Sequence, residues 1–207
     1  MSVVVNGRAV AATGSVLEAV LAAGIDLPHL CKDDNLPALG ACRTCLVEAD
    51  GRIVAACSVP ASVVSRVETE SERVVRIRRG VLELTAGMVA REASPAGGGP
   101  HVGTTAAAFT RDRVELSRFA PRPRGFTDAS NSFFSFDEAE CILCGRCVAA
   151  CQGLQHIGAI GLAGRGRSTR VTPGAGQAFR ESICTSCGSC VAACPTAALR
   201  PKGAEAS

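Results

Sequence analysis

The chain has 207 residues, 47% of them hydrophobic and 20% charged, with a net charge of +3; this balance excludes a disordered chain. The length suits one ordinary domain or two small ones with a linker. Aromatic residues make up only 3%, with no Trp or Tyr, against twelve Cys, so the cysteines rather than an aromatic core are expected to organise the fold.

The first residues, "MSVVVNGRAV", lack a basic segment followed by an apolar run and a small-residue cleavage site. "VVV" and "AVAA" flank Asn6-Gly7, a two-residue turn signal that predicts a hairpin. Ser15 and Glu18 fit a capping box opening a helix, and Gly24 fits its end. The apolar stretch "SVLEAVLAAGIDLPHL" is broken by Glu18, Asp26 and Pro28 and is too short to cross a bilayer. A cytoplasmic protein is expected, in which thiols stay reduced and clustered cysteines point to metal or catalysis before disulfides.

"CLVEADGRIVAAC" predicts a second hairpin around Asp50-Gly51, giving a small mixed sheet crossed by one helix over residues 1–70. Residues 71–93 have helical spacing, with Val74, Ile77, Val81, Leu84 and Met88 on one face, until "SPAGGGP" stops the helix. Arginines cluster in "ERVVRIRRG" and "RDRVELSRFAPRPRG". A solvated helix face and a basic linker explain them most simply, and docking to an acidic partner surface comes second. Nucleic acid is disfavoured, because stacking aromatics are missing. "NSFFSFDEAE" reads as a short strand leading into the second cysteine-rich region.

That region contains one motif twice, "CILCGRCVAAC" and "CTSCGSCVAACP". Cys141, Cys144, Cys147 and Cys151 follow C-x2-C-x2-C-x3-C, and Cys184, Cys187, Cys190 and Cys194 repeat it before Pro195. This is the run that holds two [4Fe–4S] clusters in bacterial ferredoxins. Three closely spaced thiolates cap three corners of one cube, and a short helical turn carries the fourth to the other. One cluster is therefore assigned to Cys141, Cys144, Cys147 and Cys194, the other to Cys184, Cys187, Cys190 and Cys151. Zinc needs four ligands around one tetrahedral ion, typically two separated pairs, which this repeated run does not resemble.

Cys31, Cys42, Cys45 and Cys57 form a third quartet, spaced C-x10-C-x2-C-x11-C, whose first gap exceeds the x4 of plant-type ferredoxins. The loop "CKDDNLPALGAC" is expected to wrap a site, with Gly40 letting backbone approach the sulfurs and Cys57 closing it. Taken alone, the quartet suits structural zinc or a [2Fe–2S] cluster; beside two iron–sulfur motifs, [2Fe–2S] is favoured. "GAIGLAGRG" lacks the dinucleotide fingerprint G-x-G-x-x-G. His29 and His156 read as ordinary neighbours of the cluster loops. The chain thus offers redox centres and no place for two-electron chemistry on a substrate.

This order of elements resembles the iron–sulfur region of the large peripheral subunit of respiratory complex I. It is similar as well to the diaphorase small subunit of NAD-reducing hydrogenases and to the N-terminal part of the α subunit of NAD-dependent molybdenum or tungsten formate dehydrogenases. The resemblance covers nearly the whole chain, and "FSFDEAECILCGRCVAACQGLQ", "GRGRSTRVTPG" and "CTSCGSCVAACPTAAL" look most like the formate dehydrogenase version. It implies an α+β protein. A [2Fe–2S] ferredoxin-like β-grasp domain would span 1–70, a helical linker segment 71–130, and a bacterial-type 2[4Fe–4S] ferredoxin domain 131–207. It also implies an FMN- and NADH-binding diaphorase-type partner and a molybdopterin or hydrogenase catalytic subunit. FMN, NAD and molybdopterin would then sit only on those partners.

Two departures qualify the resemblance. In the family the intermediate segment carries H-x3-C-x2-C-x5-C, ligating a further [4Fe–4S] cluster; here His101 is followed at those positions by Thr105, Ala108 and Val114. None of these side chains replaces a thiolate on iron, so the site reads as vestigial. The other departure is length: the formate dehydrogenase region is usually followed by a molybdopterin domain, whereas hydrogenase subunits occur alone at about this size. Length favours one subfamily, motifs the other.

Overall fold

In the computed structural model, which describes residues 1–88, 109–120, 127–196 and 198–203, the Asn6-Gly7 turn joins β1 (Ser2–Val5) to β2 (Arg8–Ala11) as an antiparallel hairpin. Asn6 and Gly7 both take positive φ, 46° and 81°, as a two-residue primed turn requires. The Ser15–Glu18 capping box is present in both directions and opens α1 (Val16–Ala22). Asp50-Gly51, at φ 46° and 77°, turns β3 (Leu46–Ala49) into β4 (Arg52–Ala55).

In the first sheet one strand was not anticipated. β5 (Arg66–Glu68) pairs parallel to β1 and antiparallel to β3, making the centre of a sheet ordered β2-β1-β5-β3-β4. The inward positions Val3, Val5, Val47 and Val67 pack against Val16, Leu17 and Val20 of α1 in one aliphatic core. Each such side chain, fully buried, contributes about 1.5–3 kcal/mol. This core, α2 (Glu72–Ala86) and residues 109–119 belong to the first of two compact units.

Helix α2 begins as expected, but its buried face is not the predicted apolar one. Ile77 and Leu84 are exposed, while Val74, Arg78, Leu82 and Thr85 are buried. An arginine can occupy the inner face because its charge is met there: Arg78 is bound to Asp112 with both side chains 1% exposed. The helix ends at Ala86, short of the expected residue 93, and residues 89–93 lie outside the described residues.

The second unit contains Asp33–Pro37 and the described residues from 127 onward. β7 (Phe134–Asp137), within the predicted strand, is flanked by β6 (Thr127–Asp128) and β10 (Leu199–Pro201), all antiparallel. A separate hairpin pairs β8 (Ile160–Ala163) with β9 (Arg170–Pro173). Aromatics are scarce overall yet concentrated here. Phe179 meets Phe134 edge-on at 5.1 Å and Phe136 at 6.3 Å, within a core that includes Cys141, Cys147, Cys151 and Cys190. Among the described residues no helix is long and apolar enough to cross a membrane.

Candidate iron–sulfur centres

The sequence repeat of the second unit is also a backbone repeat. Leu143 and Ser186, each two residues after a cysteine, take φ 54° and 59°. Their N–H groups turn back to the Sγ of Cys141 and Cys184, both at 3.4 Å. Gly145 and Gly188 follow at φ 81° and 78° and open the short helices α3 (Arg146–Ala149) and α4 (Ser189–Ala193). A left-handed residue costs an L-amino acid about 1–2 kcal/mol. Both copies accept that cost to wind the chain around a thiol.

These loops line two cavities. Cys141, Cys144, Cys147 and Cys194 share one, walled by Phe136, Ile142 and Val171; Cys151, Cys184, Cys187 and Cys190 share the other, walled by Phe134, Ile157 and Ile160. The two cavities are alike in make-up, each lined by four cysteines and apolar side chains. The fourth cysteine of each run thus lines the other run's cavity. α3 passes into a π-helical turn over Ala150–Leu154, where Cys151 accepts a hydrogen bond from Ala159 N at 3.2 Å.

Burial dominates the thiols of the first cavity. It pushes Cys144 up to about 12 and Cys147 well above the ordinary thiol value. In the other cavity burial likewise raises Cys190 to about 12. Cys187 is exposed; what burial it has works against ionisation, but hydrogen bonds from Ser189 and Thr185 outweigh this and lower it. Thiols that resist ionisation in an apolar pocket become thiolates when positive iron supplies the countercharge. The donor sets therefore fit [4Fe–4S] clusters.

In the first unit Cys31, Cys42, Cys45 and Cys57 also come together. Cys31 hydrogen-bonds Cys42 and Cys57, and Cys45 hydrogen-bonds Cys57. These bonds push Cys31 and Cys45 up, lower Cys57, and bring Cys42 down to about 6. The backbone N–H groups of Cys31 and Cys42 donate to each other's sulfur at 3.4 and 3.5 Å. Gly40, at φ 61°, also hydrogen-bonds Cys57 through its backbone, and a Cβ there would lie 2.7 Å from Ser58 Oγ. The close approach needs glycine. Among the described residues no three or more His, Cys, Asp or Glu side chains are placed to hold a single metal ion. Four thiols linked through one chain of contacts, Cys42–Cys31–Cys57–Cys45, fit a two-iron cluster, whose two irons share four protein sulfurs.

His29 holds the carbonyl of Leu27 through Nδ1 at 2.7 Å, and His156 is exposed. His101, Thr105 and Ala108 lie outside the described residues; Val114 is half-buried and donates its N–H to Phe109 at 2.9 Å. Sequence reasoning missed Thr44, fully buried, whose hydroxyl accepts from Leu30 N and lies 3.1 Å from Cys42 Sγ. It missed Arg146, whose guanidinium donates to Asp33. A threonine or arginine inside a C-x2-C loop was the available signal.

Residues 1–72 match the family described as 2Fe-2S iron-sulfur cluster binding domain, and residues 140–198 match the 4Fe-4S dicluster domain. A chain in the crystal structure of NAD+-reducing [NiFe]-hydrogenase in the H2-reduced state superposes with a TM-score of 0.80 at 31% identity, covering 98% of this chain and 88% of that one. The chain belongs to this iron–sulfur protein family. Family relatives include the mitochondrial NADH-ubiquinone oxidoreductase 78 kDa subunit of Candida albicans, 27% identical over 83% of this chain and 25% of its own length. Another is the NADPH-Fe(3+) oxidoreductase subunit alpha of Geobacter sulfurreducens, 30% identical over 83% of this chain and 21% of its length. The chain spans about a quarter of the length of the curated relatives it matches. As the family implies, it joins a [2Fe–2S] binding domain to a dicluster [4Fe–4S] domain in an α+β fold.

Proposed function

We propose that this chain is the electron-relay subunit of a multisubunit NAD-linked oxidoreductase. One observation carries the reading: cysteines far apart in sequence gather as one linked quartet and as two quartets lining cavities. Cys31, Cys42, Cys45 and Cys57 hold a [2Fe–2S] cluster. Cys141, Cys144, Cys147 and Cys194 hold one [4Fe–4S] cluster, and Cys184, Cys187, Cys190 and Cys151 the other. Bound clusters supply one-electron transfer. The chain's own residues fix the sulfurs, turn backbone N–H groups toward them and keep water out with Phe134, Phe136 and Ile160.

In this reading, hydride chemistry belongs to an FMN- and NADH-binding partner, and the other half-reaction to a catalytic subunit. A molybdopterin formate dehydrogenase is the first choice, on the strength of the motifs around Cys141 and Cys184. The hydrogenase reading draws support from a solved chain matched over 88% of its length. The assembly is placed in the cytoplasm.

Purifying the tagged chain from its native host tests this. An associated flavoprotein together with molybdenum or tungsten supports the first choice, and nickel supports the second. A chain that purifies alone with its clusters and reduces soluble acceptors is a free carrier, and the subunit reading fails.

A further inference from the structure

The two copies of the cluster-binding loop have the same backbone and differ in charge at one position. Between the second and third cysteines stand Gly145-Arg146 in one copy and Gly188-Ser189 in the other. Arg146 is the first residue of α3, flanked in sequence by the cavity-lining Gly145 and Cys147, and its side chain is 3% exposed. Ser189 offers only a hydroxyl, 3.7 Å from Cys187 Sγ.

Arg146 is answered by Asp33, whose carboxylate accepts from Nη2 and is 14% exposed. Asp33 comes from the second unit's short early segment, Asp33–Pro37. In that segment Leu36, 5% exposed, packs on Ala150 and Ala193. An apolar anchor three residues away thus fixes the carboxylate against the guanidinium. A buried ion pair is a costly way to gain stability, because desolvation offsets most of the attraction. Its presence in one loop and not in the twin loop calls for another explanation.

We propose that the Arg146–Asp33 pair sets the potential of the cluster held by Cys141, Cys144, Cys147 and Cys194, apart from its twin. The inference rests on the function proposed above. Reduction adds one negative charge to a cluster, and a fixed positive charge in a poorly polarisable site stabilises the reduced form more than the oxidised form. Arg146 therefore raises the potential, and the Asp33 carboxylate restrains the rise. The pair splits two otherwise similar clusters into a higher and a lower step. Arg146 acts through the field at the cluster and touches no substrate.

The test is a redox titration of the purified full-length chain, followed by paramagnetic resonance of the reduced clusters. Arg146→Gln should lower the potential of one [4Fe–4S] signal and leave the other unmoved. Asp33→Asn should shift that same signal upward, and Arg146→Lys, which keeps the charge, should stay near wild type. If Arg146→Gln fails to assemble, Asp33→Asn decides the matter alone: an upward shift supports the inference, and a downward or absent shift overturns it. Shifts of the same sign in the glutamine and asparagine variants, or equal shifts of both clusters, also overturn it. A wild-type chain without [4Fe–4S] signals would sink the relay reading and this inference together. Clusters present with unmoved potentials would sink this inference alone.

Discussion

Arg78 grips Asp112 with two hydrogen bonds, Nε to Oδ2 at 2.5 Å and Nη2 to Oδ1 at 3.0 Å, across 34 residues of sequence. The same guanidinium donates through Nη1 to the carbonyls of Leu46 and Thr69, at 3.2 and 2.9 Å. Leu46 directly follows Cys45, so helix α2 reaches the edge of the [2Fe–2S] loop through this one side chain. Arg79 adds a bond to the Asp112 carbonyl at 2.6 Å, and Arg118 meets Glu83 at 2.7 Å. Residues 109–119 are thus bound to α2 mainly by charge.

Removing one partner from a buried pair costs about 3–5 kcal/mol, because the other charge is left uncompensated. Asp112→Asn should therefore lower the denaturation midpoint of the first unit, and Arg78→Met combined with Asp112→Leu should recover part of the loss. The pH dependence has a definite sign. Burial alone would raise the Asp112 carboxyl, but hydrogen bonds from Arg78 and Arg111 hold it below its ordinary 3.8. The unfolded state then binds more protons in acid, so the stabilisation is complete above that value and lost as pH falls through the folded pKa. Acid titration of unfolding should show a steeper loss below pH 3.8 in wild type than in Asp112→Asn; identical profiles would remove Asp112 from the account.

What was legible in the sequence was local. Asn6-Gly7, Asp50-Gly51, and Ser15 with Glu18 each carry their signal within a few residues, and each took its expected form. β5 is three residues long and owes its place to pairing with two strands far away in sequence. The buried face of α2 was misjudged because hydropathy counts Arg78 as outward, and only Asp112 makes its burial tolerable. Asp33 gave no sign of facing Arg146, since nothing local links positions 113 residues apart.

The crossed grouping of cysteines makes Cys194→Ser informative. Cys194 lies in the cavity of Cys141, Cys144 and Cys147, so its loss should damage that cluster and spare the one at Cys184, Cys187 and Cys190. Paramagnetic resonance of the reduced variant checks this. Loss of only the second cluster's signal would refute the crossed assignment.

Cluster removal should act unequally on the two units. The first has an aliphatic core of its own in Val3, Val5, Leu17, Val47 and Val67. In the second, Cys141, Cys147, Cys151 and Cys190 are themselves core residues, and their thiols line the cavities a cluster would fill. Metal binding there is coupled to folding. Chelation should strip amide protection from residues 130–200 first and leave β1 to β5 protected longer. Hydrogen exchange with the second unit unchanged in the apo chain would contradict this.

The last expectation concerns the segment with the cysteine-free frame. One [2Fe–2S] and two [4Fe–4S] clusters give about 10 irons per chain, and a retained fourth cluster would give about 14. At the final position of that frame, Val114 offers iron no donor; its backbone N–H closes a turn onto Phe109. His101→Ala should accordingly leave iron content, spectra and turnover of the assembled complex near wild type. The triple variant Thr105→Cys, Ala108→Cys, Val114→Cys tests whether the backbone keeps the family's shape, and a gain of about four irons would show that it does. Iron near 14 in wild type, or a resonance signal lost in His101→Ala, would show that His101 still serves as a ligand.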